Sequence, residues 1–415
     1  MLKETDMAKT ENLLEQIARI ESETGIPRTI FAACPNSVSV VRAAFRAAKR
    51  NNAPIYFAAT LNQIDCDGGY TGLTPAEFVR LARIEAEAVN FTGPAIIAID
   101  HGGPWLKDKQ SIERWSAEDA MEGVKKSFEA AVEAGYDLIH VDPTVDIYVP
   151  KGEIIDIRVV VERTVELIAH VERFRRAKGF PAISYEVGTE EVHGGLADET
   201  TFDRFLTGLK EGLAKAGLAD VWPCFIVGKV GTDLHTATFD PAVARALTAR
   251  VRPYGSYIKG HYTDGVSNPE QYPLCGMGAA NVGPEFTMSE YDALAELEVR
   301  EREMDREGRV AQLSHITDVL KRLVCESNRW RKWLHGEEVG REFDALTPER
   351  QMWLVKTGCR YIWQSPEALV ARQTLYANLR RAGYDPEEVV LGRIERDMDK
   401  YFHAFNLINL NDLLR

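Results

Sequence analysis

Cysteine is scarce in this chain of 415 residues, and none of the six forms a Cys-x-x-Cys pair. A zinc ribbon and a thioredoxin motif are therefore excluded. The scattered positions 34, 66, 224, 275, 325 and 359 predict free thiols in a reducing compartment. Long apolar runs are also missing: a stretch such as 95–99 falls far short of the ~20 residues of a membrane helix. We find no internal repeat, low-complexity tract or long linker. The opening Met1-Leu2-Lys3-Glu4-Thr5-Asp6 lacks the basic and apolar regions of a signal peptide, which makes a cytoplasmic location the expectation. Positive charge is in deficit, with 50 Lys and Arg against 63 Asp and Glu, a net charge of −13. Such a surface argues against nucleic acid or an anionic membrane as the main partner. A small anionic substrate stays open, because a pocket can be locally basic on an acidic protein.

What is present is an ordinary globular composition, 45% apolar and 27% charged. Length alone would allow two or three domains at about 150 residues each. Short apolar runs rich in β-branched residues occupy 29–33, 55–59, 95–99, 138–141, 182–187, 224–227 and 256–259, with a weaker eighth at 278–282. Most are continuous rather than alternating, as parallel strands covered on both faces should be. Helical periodicity fills 38–50, 75–87, 117–134, 159–178, 202–216 and 241–250. Thr74, Pro75 and Glu77 form a helix-start signature, and Ser116 opens another helix. Eight strands alternating with helices predict a (β/α)₈ TIM barrel over residues 1–287, with an amphipathic N-terminal helix across its floor. A doubly wound sheet is the alternative. Residues 288–415 read as a helical extension holding four of the seven tryptophans, packed on the barrel or on a second copy in a homo-oligomer. Those tryptophans read as packing anchors.

Barrel enzymes collect their chemistry at the carboxyl ends of the strands. Five of the nine histidines, His101, His140, His193, His235 and His261, fall in or just after strand ends. His101, His235 and His261 follow the third, sixth and seventh strands, and imidazoles converging from separate strands predict a divalent-metal site with Glu186 or Glu190 as a further ligand. Asp100 directly precedes His101 and is placed to move a proton or to orient the ligand. Asp142 is either a second acid/base or the cap of the Pro143 turn. The glycine-rich stretch 68–72 reads as a lid or substrate loop. Gly276-Met277-Gly278 lacks the third glycine and the strand–helix context of a dinucleotide fingerprint, so no nicotinamide site is expected.

Several stretches resemble the D-tagatose-bisphosphate aldolase accessory-subunit family over most of the chain: ACPNS at 33–37, AATLNQ at 58–63 and DGGYTG at 67–72. Longer strings are similar to its ketohexose-phosphate 4-epimerase branch: DHGGPWLKD at 100–108, YEVGTEEVHGG at 185–195, GTDLHT at 231–236, GHYTD at 260–264 and ANVGPEFT at 280–287. That branch interconverts D-tagatose 6-phosphate and D-fructose 6-phosphate, and the family in turn resembles the class II, metal-dependent aldolases. The resemblance implies a divalent metal, zinc first and magnesium, manganese or nickel as alternatives, on His101, His235 and His261 with Glu186. It implies Asp100 as a catalytic acid/base. The asparagines Asn36, Asn62 and Asn281 are expected to orient substrate hydroxyls.

Chemistry narrows the expected mechanism. The C4 hydrogen of a 2-ketose is β to the carbonyl, so direct deprotonation gives no enolate, and oxidation would need a nicotinamide. Retro-aldol cleavage between C3 and C4, rotation of the aldehyde and re-addition remain. Inversion puts the C4 oxygen on two sides, so a second proton-handling group is expected from Glu190, Asp142 and His193. Lys107, Lys109, Lys229 and Lys259 lie near strand ends, and Lys259 is the expected phosphate anchor. A retained class II aldolase and a non-catalytic aldolase partner are the competing readings.

Overall fold

The strands form where apolar runs can be buried on both faces. In the computed structural model, which describes residues 7–150, 153–188, 199–233 and 237–414, these are β1 (Ile30–Ala33), β2 (Ile55–Thr60), β3 (Ala95–Gly102), β4 (Leu138–Val141), β5 (Ser184–Gly188), β6 (Phe225–Val227), β7 (Tyr257–Gly260) and β8 (Ala279–Val282). Each pairs in parallel with the next, and β1 pairs with β8, so the sheet closes into an eight-stranded barrel. The doubly wound alternative is thereby excluded. Expected and observed strands agree within a few residues, except that β3 continues past Ile99 through Asp100 and His101. The polar pair stays in the strand because Asp100 is in register with Thr60 of β2.

Helices fill the connections: α1 (Lys9–Thr24), α2 (Val38–Asn51), α3 (Pro75–Ala88), α4 (Asp108–Ile112), α5 (Ala117–Ala134), α6 (Ile157–Lys178), α7 (Glu199–Lys215), α8 (Pro241–Val251) and the short α9 (Gln271–Leu274). Helix α3 starts on the full capping box of Thr74 and Glu77, and Ser116 accepts from the Asp119 amide to start α5. Helix α1 turns Leu13, Leu14, Ile17 and Ile20 inward. Its Lys9 reaches the Ala95 carbonyl and, at 3.0 Å, Asp137, at the amino ends of β3 and β4. It therefore lies at the barrel floor, opposite the strand ends that carry the polar residues.

After β8 come α10 (Pro284–Arg306), α11 (Ile316–Ser327), α12 (Pro348–Gly358), α13 (Pro366–Arg381) and α14 (Pro386–Ala404). The division placed at 287–288 lies inside α10, because Pro284 at the first helical position starts that helix directly after β8. Helix α14 returns to the beginning of the barrel and packs on α2 and α10. Tyr401 stacks on Phe31 of β1 at 5.5 Å between ring centroids, and Phe402 meets the same ring edge-on at 5.1 Å. Outside this aromatic contact, Arg46 and Arg50 of α2 pair with Glu388, Glu395 and Asp399 of α14. The more exposed pairs, Arg46–Glu388 and Arg50–Asp399, contribute about 0–1 kcal/mol each, whereas Glu395 is buried and joins the rings in holding the two ends of the chain together.

Phe402 is fully buried, and Phe402→Ala is expected to cost about 3–5 kcal/mol. Urea unfolding of that variant should remain one transition, shifted to lower denaturant; two separated transitions would show that extension and barrel fold apart.

Candidate active site

Site geometry begins with an irregularity in β3. Between Ile99 and Gly102 the pairing with β4 slips in register, and His101 there has φ +48°. A non-glycine residue in the left-handed region is uncommon, and a bulge beside a site re-aims the side chain it carries. The His101 backbone amide donates to His140 Nδ1 at 3.1 Å, and His101 Nδ1 meets Asp142 Oδ2 at 2.6 Å. Thr144 donates to the other oxygen of Asp142. Close approach of the backbones demands glycine next door: a Cβ on Gly103 would fall 1.8 Å from the Asp142 carbonyl oxygen.

Deeper in the mouth, β7 contributes Lys259, whose side chain is 0% exposed. Its Nζ lies 2.7 and 2.9 Å from the two oxygens of Glu186 on β5 and 3.5 Å from Asp100 Oδ1. The Tyr56 ring lies 5.2 Å from the same ammonium. His261 Nε2 is 3.0 Å from Glu186 Oε1 and 3.6 Å from Asp100. His140 Nδ1 is 3.5 Å from both carboxylates. Asn281 of β8 donates to Asp100 Oδ2 at 3.0 Å, and its own Oδ1 is buried without a hydrogen-bond partner. Burial opposes ionisation of these acids, but the cations around them win. Lys259 above all holds Asp100 well below the usual carboxylate range and Glu186 at about 2. His101 does the same for Asp142, also at about 2 against its burial.

Could these residues hold a metal ion? Asp100, His140, Glu186 and His261 each offer one donor atom within 4.8 Å of the others, and His101, His140 and Asp142 form a second such group. Mixed imidazole and carboxylate donors suit zinc, manganese or nickel. Among the described residues, three buried carboxylates gather here: Asp100 and Glu186 share the ammonium of Lys259, and Asp142 meets His101. The charge left over is what a divalent cation would neutralise, so the residues fit. Lys259 already answers Glu186, so His101, His140 and His261 would be the groups most free to hold such an ion.

A cavity of about 240 Å³ opens above Asp100, His101, His261 and Asn281. It is near the small end of the about 300–1,000 Å³ of small-molecule sites. Asn36 and Asn62 line it, but their amides are engaged. Asn36 donates to the Gly283 carbonyl and accepts from Gln63 and Tyr70. Asn62 donates to the Leu106 carbonyl and accepts from the Asp108 amide. The glycine stretch at 68–72 is pinned rather than loose: Tyr70 and Thr71 amides donate to the Asn62 and Gln63 carbonyls. A Cβ on Gly69 would stand 2.3 Å from the Gln63 oxygen. Asp264 caps α10, accepting from the Gly283 and Glu285 amides at 2.9 and 2.8 Å, and burial pushes its carboxyl up to about 6. The extension contributes Lys332, Trp333, Arg360 and Tyr361 to the cavity lining.

Residues 14–404 match the family described as D-tagatose-1,6-bisphosphate aldolase subunit GatZ/KbaZ-like. The chain belongs to this family. A curated relative, D-tagatose 6-phosphate 4-epimerase of Agrobacterium fabrum, is 28% identical, with 94% of this chain and 98% of that protein covered. A solved structure described as a probable tagatose 6 phosphate kinase from Sinorhizobium meliloti 1021 superposes with a TM-score of 0.73 at 22% identity, covering 91% of this chain and 100% of that one. Fructose-bisphosphate aldolase of Campylobacter jejuni gives a TM-score of 0.55 at 12% identity, over 96% and 95% of the two chains. At those identities the two structures speak for the fold alone, the eight-stranded barrel with its surrounding helices.

Against this family background, the structure brings Asp100, His101, Asp142, Glu186, Lys259, His261 and Asn281 to one end of the barrel. His235, Glu190 and His193 lie outside the described residues. Lys259, the expected phosphate anchor, lies buried among carboxylates and is not among the described residues that line the cavity. His140 was given no role by the sequence, yet it lies between both acids. Its signal was a histidine inside the otherwise apolar Leu138-Ile139-His140-Val141.

Removing the buried ammonium should be costly. In chelator-treated protein at pH 7, Lys259→Met is expected to lose about 3–5 kcal/mol, the cost of stranding buried partners. The pH dependence should also change sign. Depressed carboxylates stabilise the wild type above their unfolded pKa of about 4, and this is lost as pH falls toward 2. Without Lys259, burial raises Glu186, so the variant should gain stability as pH falls from 7 toward 5. Urea midpoints across that range test this; parallel profiles would contradict it.

Proposed function

We propose that this chain is an epimerase that inverts C4 of a ketohexose 6-phosphate, interconverting D-tagatose 6-phosphate and D-fructose 6-phosphate. The observation that carries the reading is a buried carboxylate, Asp100, held ionised between Lys259 and Asn281 beside three clustered histidines at the mouth of an aldolase-type barrel. Covering almost all of a relative named for this activity supports the substrate choice.

A divalent metal, with zinc the first choice, would be held by His101 and His261, with His235 and Glu186 as further ligands, and would supply Lewis-acid polarisation of the substrate oxygens. Asp142 orients His101 by fixing which ring nitrogen remains for ligation. Asp100 takes the C4 hydroxyl proton as the C3–C4 bond breaks, and the bonding pair passes to an enediolate spanning C2 and C3. Asn281 keeps Asp100 in place with its amide N–H, and its unpartnered oxygen accepts from a substrate hydroxyl. The aldehyde fragment rotates about its remaining contacts, the enediolate adds to its other face, and a second acid protonates the new C4 oxygen. Glu190 and His193 are the proposed second groups; Asp142 is committed to His101. Cytoplasmic location is part of this proposal, and no helix among the described residues is long and apolar enough to cross a membrane.

Two other outcomes are chemically close. A retained aldolase would release triose, and a non-catalytic partner would turn nothing over alone. Purified protein given D-tagatose 6-phosphate should form D-fructose 6-phosphate without free triose, and a chelator should stop it. Accumulating triose would favour the aldolase, and turnover only with a second protein would favour the partner. Asp100→Asn should lower kcat about 10²–10⁴-fold, the range for losing a positioned acid/base. Full activity in a metal-free preparation would reject the proposed metal site.

A further inference from the structure

Among the described residues, the helical extension carries a buried cation with no carboxylate in ion-pair contact. Arg360 is 4% exposed and lines the cavity opposite Asp100 and His261. Its guanidinium lies against the Trp333 ring at 4.2 Å and the Tyr361 ring at 4.9 Å, and it donates to the Tyr361 hydroxyl at 3.2 Å. Among the described residues, no carboxylate oxygen lies within ion-pair distance of it. The other cations near the cavity have carboxylate partners, although Lys332 has only a share of one. Lys332 and Arg329 share Asp108, and Lys107 is paired with Asp65 and Asp67. Asp264 shares the cavity but is held by the Gly283 and Glu285 amides.

A desolvated guanidinium without a counter-ion is costly unless a ligand supplies the charge. Its planar fork matches a phosphate or carboxylate in two parallel bonds. Flanking rings fix the plane of the fork and exclude water from its faces.

We propose that Arg360, assisted by Lys332, is the anion subsite of this pocket and receives the phosphoryl group of a sugar phosphomonoester. The naming of a phosphoryl group rests on the function proposed above; the anion site itself rests on Arg360. Substrate would then span the cavity, its hydroxyketone on the Asp100 and His261 side and its phosphate under the extension. The fragment that must rotate between the two half-reactions would stay tethered at its phosphate end.

Calorimetric titration of the full chain tests this, using inorganic phosphate, D-tagatose 6-phosphate and D-tagatose as probes. Wild type should bind the phosphorylated sugar more tightly than the free one. Arg360→Met, which keeps the stem on the rings, should weaken phosphate and sugar phosphate about 10- to 100-fold, the scale of losing a charge-assisted pair. Arg360→Lys should recover part of that loss. Should Arg360→Met fail to fold, Lys332→Met is expected to weaken the same two ligands by about 3- to 10-fold. A folded Arg360→Met that binds phosphate and sugar phosphate like the wild type would overturn the subsite, as would wild-type protein that does not distinguish the two sugars. If phosphate binding is lost in Arg360→Met but no epimerase activity is found, the subsite stands and the function reading falls. Epimerisation with phosphate binding independent of Arg360 would do the reverse.

Discussion

One buried ammonium organises the mouth of this barrel. Lys259 lies where Glu186 and Asp100 would otherwise repel each other, and its charge keeps both ionised away from water. That cost is tolerable because the partners are placed by rigid strands: Glu186 by β5, Asp100 by β3, Lys259 by β7. The carboxylates then fix the imidazoles of His140 and His261, and Asp142 holds His101. A cluster built this way is already arranged before any ligand arrives, so little reorganisation is left for the reaction itself.

The extension has an active part in the pocket. Its aromatic residues are packing anchors in the case of Trp330 and Trp363, both buried, but Trp333 forms cavity wall. The strand ends supply the acids and imidazoles, and the extension supplies the cations that face them across the cavity.

Much of this was legible in the sequence, for physical reasons. Parallel strands covered on both faces are bare apolar runs, and caps such as Thr74 and Ser116 mark where helices begin. Asp100 and His101 stood out because two polar residues end an otherwise apolar strand. What escaped depended on geometry that pattern does not encode. Lys259 follows Tyr257 and Ile258 and looked like a strand-end lysine free to reach a ligand; only closure of the barrel turns it inward onto Glu186. His140 looked like part of a strand end, and its place between two carboxylates comes from the register of β4 with β5. Arg360 and Lys332 lie on short turns far along the chain, with no local signature to send them to the mouth. Asn62 lines the cavity as expected of a substrate-facing residue, while the loop after β3 also engages both ends of its amide.

The packing of α14 on α2 has a consequence for biosynthesis. Some 340 to 350 residues separate the partners in the Arg42, Arg46 and Arg50 contacts. Loop closure over such a distance comes late, and contacts of high sequence separation slow folding. During translation the first strand and helix leave the ribosome long before the segment that covers them. Phe31 therefore gains its full cover only in steps, first from Phe286 of α10 and last from Tyr401 and Phe402 of α14. The pocket wall carrying Arg360 also arrives late, so a nascent chain could gather its acids and histidines at the barrel mouth before it owned a complete substrate site.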